Sequence, residues 1–330
     1  MLIPEVSKMF RKTTSFLPLL GVLIFLYIVY RARVSNIIDA LSNINLIYLF
    51  IFVPFFVILV TFVRGYKWKL IIDSWGKKKI PLVRSSKITL IGFFVGFITP
   101  GRIGDFVRSF YLKKDRKLNF TESFSTVFVD RFIDLIVVLV FGVISVLIFS
   151  KYFNTNIFYG LIIFSIIALI GLYIIQKKKT VKIFLRPFYN LIVPEKYKKK
   201  VSKSFNDFYD SIIRYRKKKK LLFRVLVLNI LNWFVIFTYM YFIALICGLN
   251  VSFLYILIIS PLVVLVEIIP ISVSGIGTRE AALVFLLSFV NISASAAVSY
   301  SLVYMVLAGW TFSLLGMLLW LKEPIKIKNL

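Results

Sequence analysis

An all-α, polytopic membrane protein is what this sequence predicts, and three observations carry the prediction. Hydrophobic residues make up 60% of the chain and the mean hydropathy is +0.90, well beyond the roughly 45 to 50% apolar content of soluble domains. The apolar residues gather into runs, several of them near the length of about 20 residues that a helix needs to cross a bilayer core. The 42 Lys and Arg, set against 14 Asp and Glu for a net charge of +28, concentrate in the loops beside those runs. That is the positive-inside pattern, with attraction to anionic lipid headgroups as its by-product. The charge therefore reads as topology and not as nucleic-acid binding. Phe, Tyr and Trp, at 34, 17 and 5 residues, suit a chain that packs aromatics into lipid and at its interfaces.

The elements follow in order. Lys8, Arg11 and Lys12 precede an apolar run over 16–30 with no small-residue cleavage site after it, so it reads as an uncleaved first span. A second run, 46–63, ends at Arg64, Lys67, Lys69 and Lys77 to Lys79, a basic loop expected in the cytoplasm together with the N-terminus. The run 88–99 covers about 18 Å as helix against a core of about 30 Å, so it cannot cross alone. Basic loops on both sides of it predict a re-entrant or broken helix, which is tolerated at depth only where protein or water covers the backbone. Residues 120–150 are long enough for a tilted span, and 157–175 return.

The strongest topological signal is 177–220, with sixteen Lys or Arg against three acids. It divides the chain, read as one transmembrane domain over 1–330, into halves 1–176 and 221–330. Phe and Tyr scattered among its charges leave two readings open, an interfacial amphipathic helix or a solvated basic linker. The second half holds runs at 221–247, 251–269 and 296–321, and a short piece, 281–290, that is expected to complete a crossing with the polar residues before it. The basic tail, 322–330, is expected in the cytoplasm. The expected total is about seven full spans plus two short or broken helices.

Two polar islands interrupt this hydrocarbon-facing chain: Pro100-Gly101-Arg102-Ile103-Gly104-Asp105 and Ser274-Gly275-Ile276-Gly277-Thr278-Arg279-Glu280. An ionisable group within a bilayer costs roughly 2.5 to 3.5 kcal/mol on insertion scales, so it persists where it meets a partner, a cavity or a polar ligand. Glycines permit sharp turns that present N–H groups, and with Arg102 and Arg108 they suggest an anion cup suited to phosphate, Asp105 orienting an arginine. The alternative is a Pro-Gly turn with ordinary positive-inside arginines. Asp130 and Asp134 share a helix face and Arg131 can pair with Asp134. This cluster reads as a structural salt bridge, as the polar wall of a headgroup cavity, or as a proton-accepting site. Glu267, three residues before Pro270, joins Arg279 and Glu280 as the matching feature of the second half. Paired Gly/Pro-interrupted segments of this kind point to a transporter's midplane site and to a candidate inverted repeat.

The stretches PGRIGDFVRSFYL, FSTVFVDRFIDLIVV and PISVSGIGTREAALVFLL resemble the signature regions of the lysylphosphatidylglycerol synthase transmembrane-region family, also called flippase-like membrane proteins. The resemblance runs from about Leu46 to Leu321. It implies a multi-pass, lipid-handling domain with Arg102, Gly104, Asp105, Arg108, Asp130, Arg131, Gly275, Gly277, Arg279 and Glu280 at matching positions. Asp105 and Asp130 stand where the family commonly shows Glu, which keeps the charge and shortens its reach. The soluble aminoacyl-transferase domain of full-length synthases is missing from this sequence, so lysyl transfer is not expected.

The expected function is translocation of an anionic, phosphate-bearing lipid across the cell membrane. The candidate ligand-binding residues are Gly101, Arg102, Gly104, Asp105, Arg108, Asp130, Arg131, Asp134, Glu267, Gly275, Gly277, Arg279 and Glu280. No G-x-x-x-x-G-K-[ST] phosphate loop exists, so the chain is not itself an ATP-driven pump. With no histidine, the commonest general base and metal ligand is gone, and Cys247 alone builds neither a disulfide nor a zinc site within one chain. No cofactor, metal or enzymatic activity is expected. The expected partners are anionic membrane lipids and candidate envelope-biosynthesis proteins, not nucleic acid. An accessory membrane subunit that recruits partners through 177–220 is the alternative, followed by a lipid-modifying transferase. On the leading reading Arg102→Ala and Arg279→Ala each abolish lipid movement and leave the fold intact.

Overall fold

A computed structural model of the chain describes residues 16–32, 34–42, 44–76, 79–116, 118–148, 195–268, 272 and 274–324, with single positions or short pieces between 166 and 182. The span expected at 157–175 and the tail beyond residue 324 therefore lie outside the described residues. Among those described, every regular element is helical, as the composition predicts. Four stretches are long and apolar enough to cross a membrane: α3 (Leu46–Asp73), α6 (Phe120–Ile148), α8 (Lys219–Ile246) and the continuous run Ala294–Lys322. The last comprises α11 (Ala294–Tyr304), a π-helical turn (Met305–Trp310) and α12 (Thr311–Lys322).

The second span does not stop at the first charge. α3 continues to Asp73 because Val57, Val60, Trp68, Ile71 and Ile72 keep one buried stripe at helical spacing. Arg64 and Lys67, expected in a loop, belong to this helix, Lys67 buried and Arg64 half-buried.

Between α3 and α6 the chain forms a hairpin. α4 (Leu82–Phe97) enters, a 3₁₀ turn (Pro100–Val107) reverses direction, and α5 (Arg108–Arg116) returns. Its limbs pair along their length: Arg84 bonds Asp115 at 2.6 Å at the open end, Gly92 faces Arg108, and Gly96 faces Asp105 near the tip. α4 starts earlier than the hydropathy suggests, at Leu82, yet its 16 residues rise only about 24 Å, short of a core of about 30 Å. The re-entrant arrangement expected here is the one observed.

α9 (Phe253–Ile268) and α10 (Thr278–Ser288) form a second hairpin. The Tyr255 hydroxyl donates to the Leu286 carbonyl at its open end, and Glu267 lies against Gly275 at its tip. This corrects the expected topology, in which 281–290 completes a crossing. α10 instead leads back to the end from which α9 set out. Pro261 lies inside α9 and takes the helical donor from the Leu257 carbonyl, while the neighbouring Ser260 hydroxyl donates to the Ile256 carbonyl at 2.6 Å.

The two hairpins hang from opposite ends of the helix bundle. α3 and α8 pack antiparallel, with the Asn45 N–H donating to the Ile246 carbonyl at 2.8 Å at one end and the Lys218 ammonium donating to the Ser74 carbonyl at the other. The first hairpin follows α3 from the Asp73 end, and the second follows α8 from the Ile246 end. α12 comes home to the Asp73 end, where Arg84 bonds Glu323 at 2.6 Å and the Tyr111 hydroxyl donates to the Glu323 carbonyl at 2.7 Å. The order long helix, hairpin, long helix thus occurs twice with opposite sense. The flanking helices are 28 and 29 residues long in the first half and again in the second.

Over part of the basic segment, α7 (Glu195–Arg216) is a helix and not a solvated linker. It is amphipathic, but its apolar side faces protein. Tyr209, Ile212 and Tyr215 are buried, Phe208 meets Phe124 and Phe128 of α6, and the Trp75 indole donates to the Tyr215 hydroxyl. At the other end of the chain, α1 (Phe16–Ala32) and α2 (Val34–Ser42) lean on α10 and α11, and the Ser299 hydroxyl donates to the Ile37 carbonyl at 3.2 Å.

Candidate functional site

The open ends of the hairpins lie apart, but their tips meet. The Ser274 hydroxyl of the second tip donates to the Phe97 carbonyl of the first at 2.5 Å, and Arg102 approaches Glu267 at 3.9 Å. Both tips use left-handed backbone: Arg102 and Ser274 each have φ of 55°, while Gly275 and Gly277, at 75° and 84°, supply the remainder of the second reversal without a Cβ penalty. Gly104 serves a different purpose. A Cβ there would come within 2.2 Å of the Val95 carbonyl oxygen, so glycine is what lets the turn lie against α4.

One glycine N–H in each tip is taken up inside that tip. Gly104 N–H donates to the Thr99 hydroxyl at 2.8 Å, and Gly277 N–H donates to the Glu280 carboxylate at 2.6 Å. At these two positions the backbone donors are already engaged. Side chains dominate the walls.

Two charged groupings surround the meeting point. In the first, Lys67 of α3 reaches Asp134 at 2.6 Å and Asp130 at 3.1 Å, and also donates to Asn229 of α8 at 3.1 Å. Arg108 bonds Asp130 at 2.9 Å and lies over the Trp68 ring at 4.9 Å. Arg131 contacts Asp134 at 3.1 Å, as its spacing predicts, and Asp105 and Asp130 at 3.3 Å each. Asp105 does orient an arginine, and that arginine is Arg131. Three cations meet three carboxylates, and Lys67, Arg108 and Asp130 have side chains only 1% exposed. Taking one member from such a set leaves an uncompensated charge in a low dielectric.

In the second grouping Arg279 is held on every side. Its guanidinium donates to Ser301 at 2.7 Å, to Glu280 at 2.9 Å, to the Ser274 carbonyl at 3.3 Å and to Glu267 at 3.4 Å. Ser301 in turn donates to Glu280 at 2.6 Å. Glu280 thus ties the start of α10 to α11 and fixes Arg279.

Between the groupings lies a small hollow of about 40 Å³, whose polar walls include Arg64, Arg102, Glu267, Arg279 and Tyr304. Of the residues singled out from sequence, Arg102, Glu267 and Arg279 line it. Asp105, Arg108, Asp130, Arg131 and Asp134 form the neighbouring charge-balanced grouping. Gly101 and Gly104 belong to the first turn, while Gly275, Gly277 and Glu280 build the second. Sequence reasoning missed Arg64, Lys67, Asn229, Ser301 and Tyr304. The first two had a signal: Val60, Arg64, Lys67 and Ile71 recur at helical spacing beyond the end of the hydropathy peak.

Comparison with known proteins agrees with the architecture. A UPF0104 membrane protein of Pyrococcus horikoshii is 24% identical over 323 residues, covering 92% of this chain and 96% of that protein. Two UPF0104 membrane proteins of Methanocaldococcus jannaschii are 26% identical over 250 residues, 70% of this chain and 97% of the relative, and 27% identical over 316 residues, 88% of each. No solved structure matches. The family model described as the lysylphosphatidylglycerol synthase TM region matches residues 17–316, which takes in both hairpins, three of the long helices and most of the fourth, and the chain belongs to that family of membrane proteins.

Proposed function

We propose that the protein moves an anionic, phosphate-bearing lipid across the cell membrane, with the headgroup passing through the hollow between the hairpin tips and the acyl tails remaining in the bilayer. The observation that carries this reading is the meeting of two non-spanning hairpins, hung from opposite ends, around one hollow with guanidinium groups in its wall. Interrupted helices meeting at depth are how transporters place polar backbone and charge where a substrate must stop. Rocking of one half against the other would expose the hollow alternately. The movement is driven by a gradient, a partner ATPase or the lipid's own concentration difference, without chemistry on the lipid. The N-terminus, the 177–220 segment and the C-terminus face the cytoplasm in this reading.

Reconstitution into vesicles carrying headgroup-labelled lipids tests it. Purified protein should render inner-leaflet label accessible to a membrane-impermeant quencher, more so for anionic than for zwitterionic lipids, with and without a proton gradient. Unchanged accessibility for every lipid class under both conditions ends the translocase reading. It would favour an accessory subunit acting through 177–220, for which substitutions in that segment matter more than substitutions in the tips.

A further inference from the structure

The arginines that face the hollow are not equivalent. Arg279 has all the partners its guanidinium can use. Arg102 has one carboxylate, Glu267, at the long distance of 3.9 Å, and its side chain remains 39% exposed. Arg64 makes no hydrogen bond or salt bridge among the described residues. Its electrostatic neighbours are the cations Arg131 and Arg102 and the carboxylates Asp134 and Asp105, both of which Arg131 already holds.

Arg64 and Arg102 share a support. Their guanidinium carbons lie 5.5 Å and 5.6 Å from the centroid of the same ring, Phe93. An aromatic face attracts a cation, but it does not cancel the repulsion between two. Glu267 answers only one of them. An under-compensated pair of planar forks on one ring is an arrangement that a multi-oxygen anion completes, because each fork can take two oxygens and a phosphate group offers them in several directions.

We infer that Arg64 and Arg102 form a clamp for a phosphate ester over Phe93, that Glu267 is the internal counter-anion the ligand displaces from Arg102, and that Arg279 positions Glu267 and Ser274 without itself binding the ligand. The inference rests on the hollow being a ligand site, as proposed above, and it names the chemistry recognised there. A lipid phosphodiester and free phosphate share that chemistry, and only the lipid also has tails to place in the bilayer.

The test uses purified full-length protein in a neutral detergent, titrated with short-chain phosphatidylglycerol, inorganic phosphate and short-chain diacylglycerol. Phosphatidylglycerol should bind, diacylglycerol should not, and phosphate should compete weakly for the same site. Arg64→Gln and Arg102→Gln should each weaken phosphatidylglycerol binding by about tenfold or more, since each removes a charge-assisted pair. The double variant should lose little beyond either single one, because half a clamp holds poorly. Glu267→Gln should tighten binding several-fold. Arg64→Gln should leave the melting temperature essentially unchanged, because the side chain gives up no hydrogen bond or salt bridge, only its place over Phe93.

Wild-type affinity in Arg64→Gln overturns the clamp, as does equal binding of the neutral lipid or no binding of either phosphate probe by wild-type protein. Vesicles separate this from the transport reading. Binding that responds as stated without lipid movement keeps the clamp and removes translocation. Movement that survives Arg64→Gln keeps translocation and removes the clamp.

Discussion

Lys67 shows what a single side chain can be asked to hold. One ammonium joins α3 to two carboxylates of α6 and an amide of α8, so its loss strands Asp130 and Asp134 beside fewer cations. Lys67→Met should cost about 3 to 5 kcal/mol of stability, the usual consequence of removing one partner from a buried pair. Thermal unfolding in detergent measures it, and combining Lys67→Met with Asp134→Leu should recover part of the loss. A fully additive double variant would show that the two do not act together. Arg279 and Arg102 separate in the same way. Arg279→Ala abandons Ser301, Glu280, Ser274 and Glu267, so it should lower the melting temperature. This revises the expectation that both alanine variants fold normally. Arg102→Ala, which gives up one distant carboxylate and the face of Phe93, should fold as wild type and lose lipid movement. These differences were illegible in sequence because an arginine's partners come from helices far away along the chain, and only their convergence distinguishes a saturated guanidinium from an idle one.

Among the elements, the hairpins were half legible. The first declared itself because basic residues flank both ends of a run too short to cross, and Arg84 and Asp115 indeed close that open end. The second did not. Charge counting fixes only whether the number of crossings is even or odd, and a hairpin and a pair of full spans give the same parity. The loop after α10, Phe289 to Ser293, carries no charge to report its side. Likewise Lys67 and Arg64 were placed in a loop because hydropathy falls at charges, whereas the helix continues on packing and internal hydrogen bonds. Helix contacts give two steric tests. Gly316 of α12 lies so close to α4 that a Cβ would come within 2.2 Å of the Leu90 carbonyl oxygen, so Gly316→Leu should pry the helices apart at a cost of about 1 to 3 kcal/mol, read as a lower melting temperature. Gly309, in the π-helical turn, faces the Phe97 ring. Gly309→Val should push the first tip aside and slow lipid movement more than it lowers the melting temperature. Equal loss of both would mark the turn as ordinary packing.

For the whole molecule, opposed hairpins demand opposed accessibility. In a Cys247→Ser background, cysteines at Lys218 and at Ser293 should react with membrane-impermeant reagents from opposite faces, because α8 begins and α11 begins at opposite ends of the bundle. Labelling of both from one side would refute the two-way architecture. The three-against-three balance of Lys67, Arg108 and Arg131 with Asp105, Asp130 and Asp134 also reaches past this one molecule. A charge-balanced knot cannot lose its charges one at a time, since each lone neutralising substitution leaves an ion behind. Along any lineage that abandons the lysine, an aspartate should vanish with it, so descent ought to change these positions in matched couples.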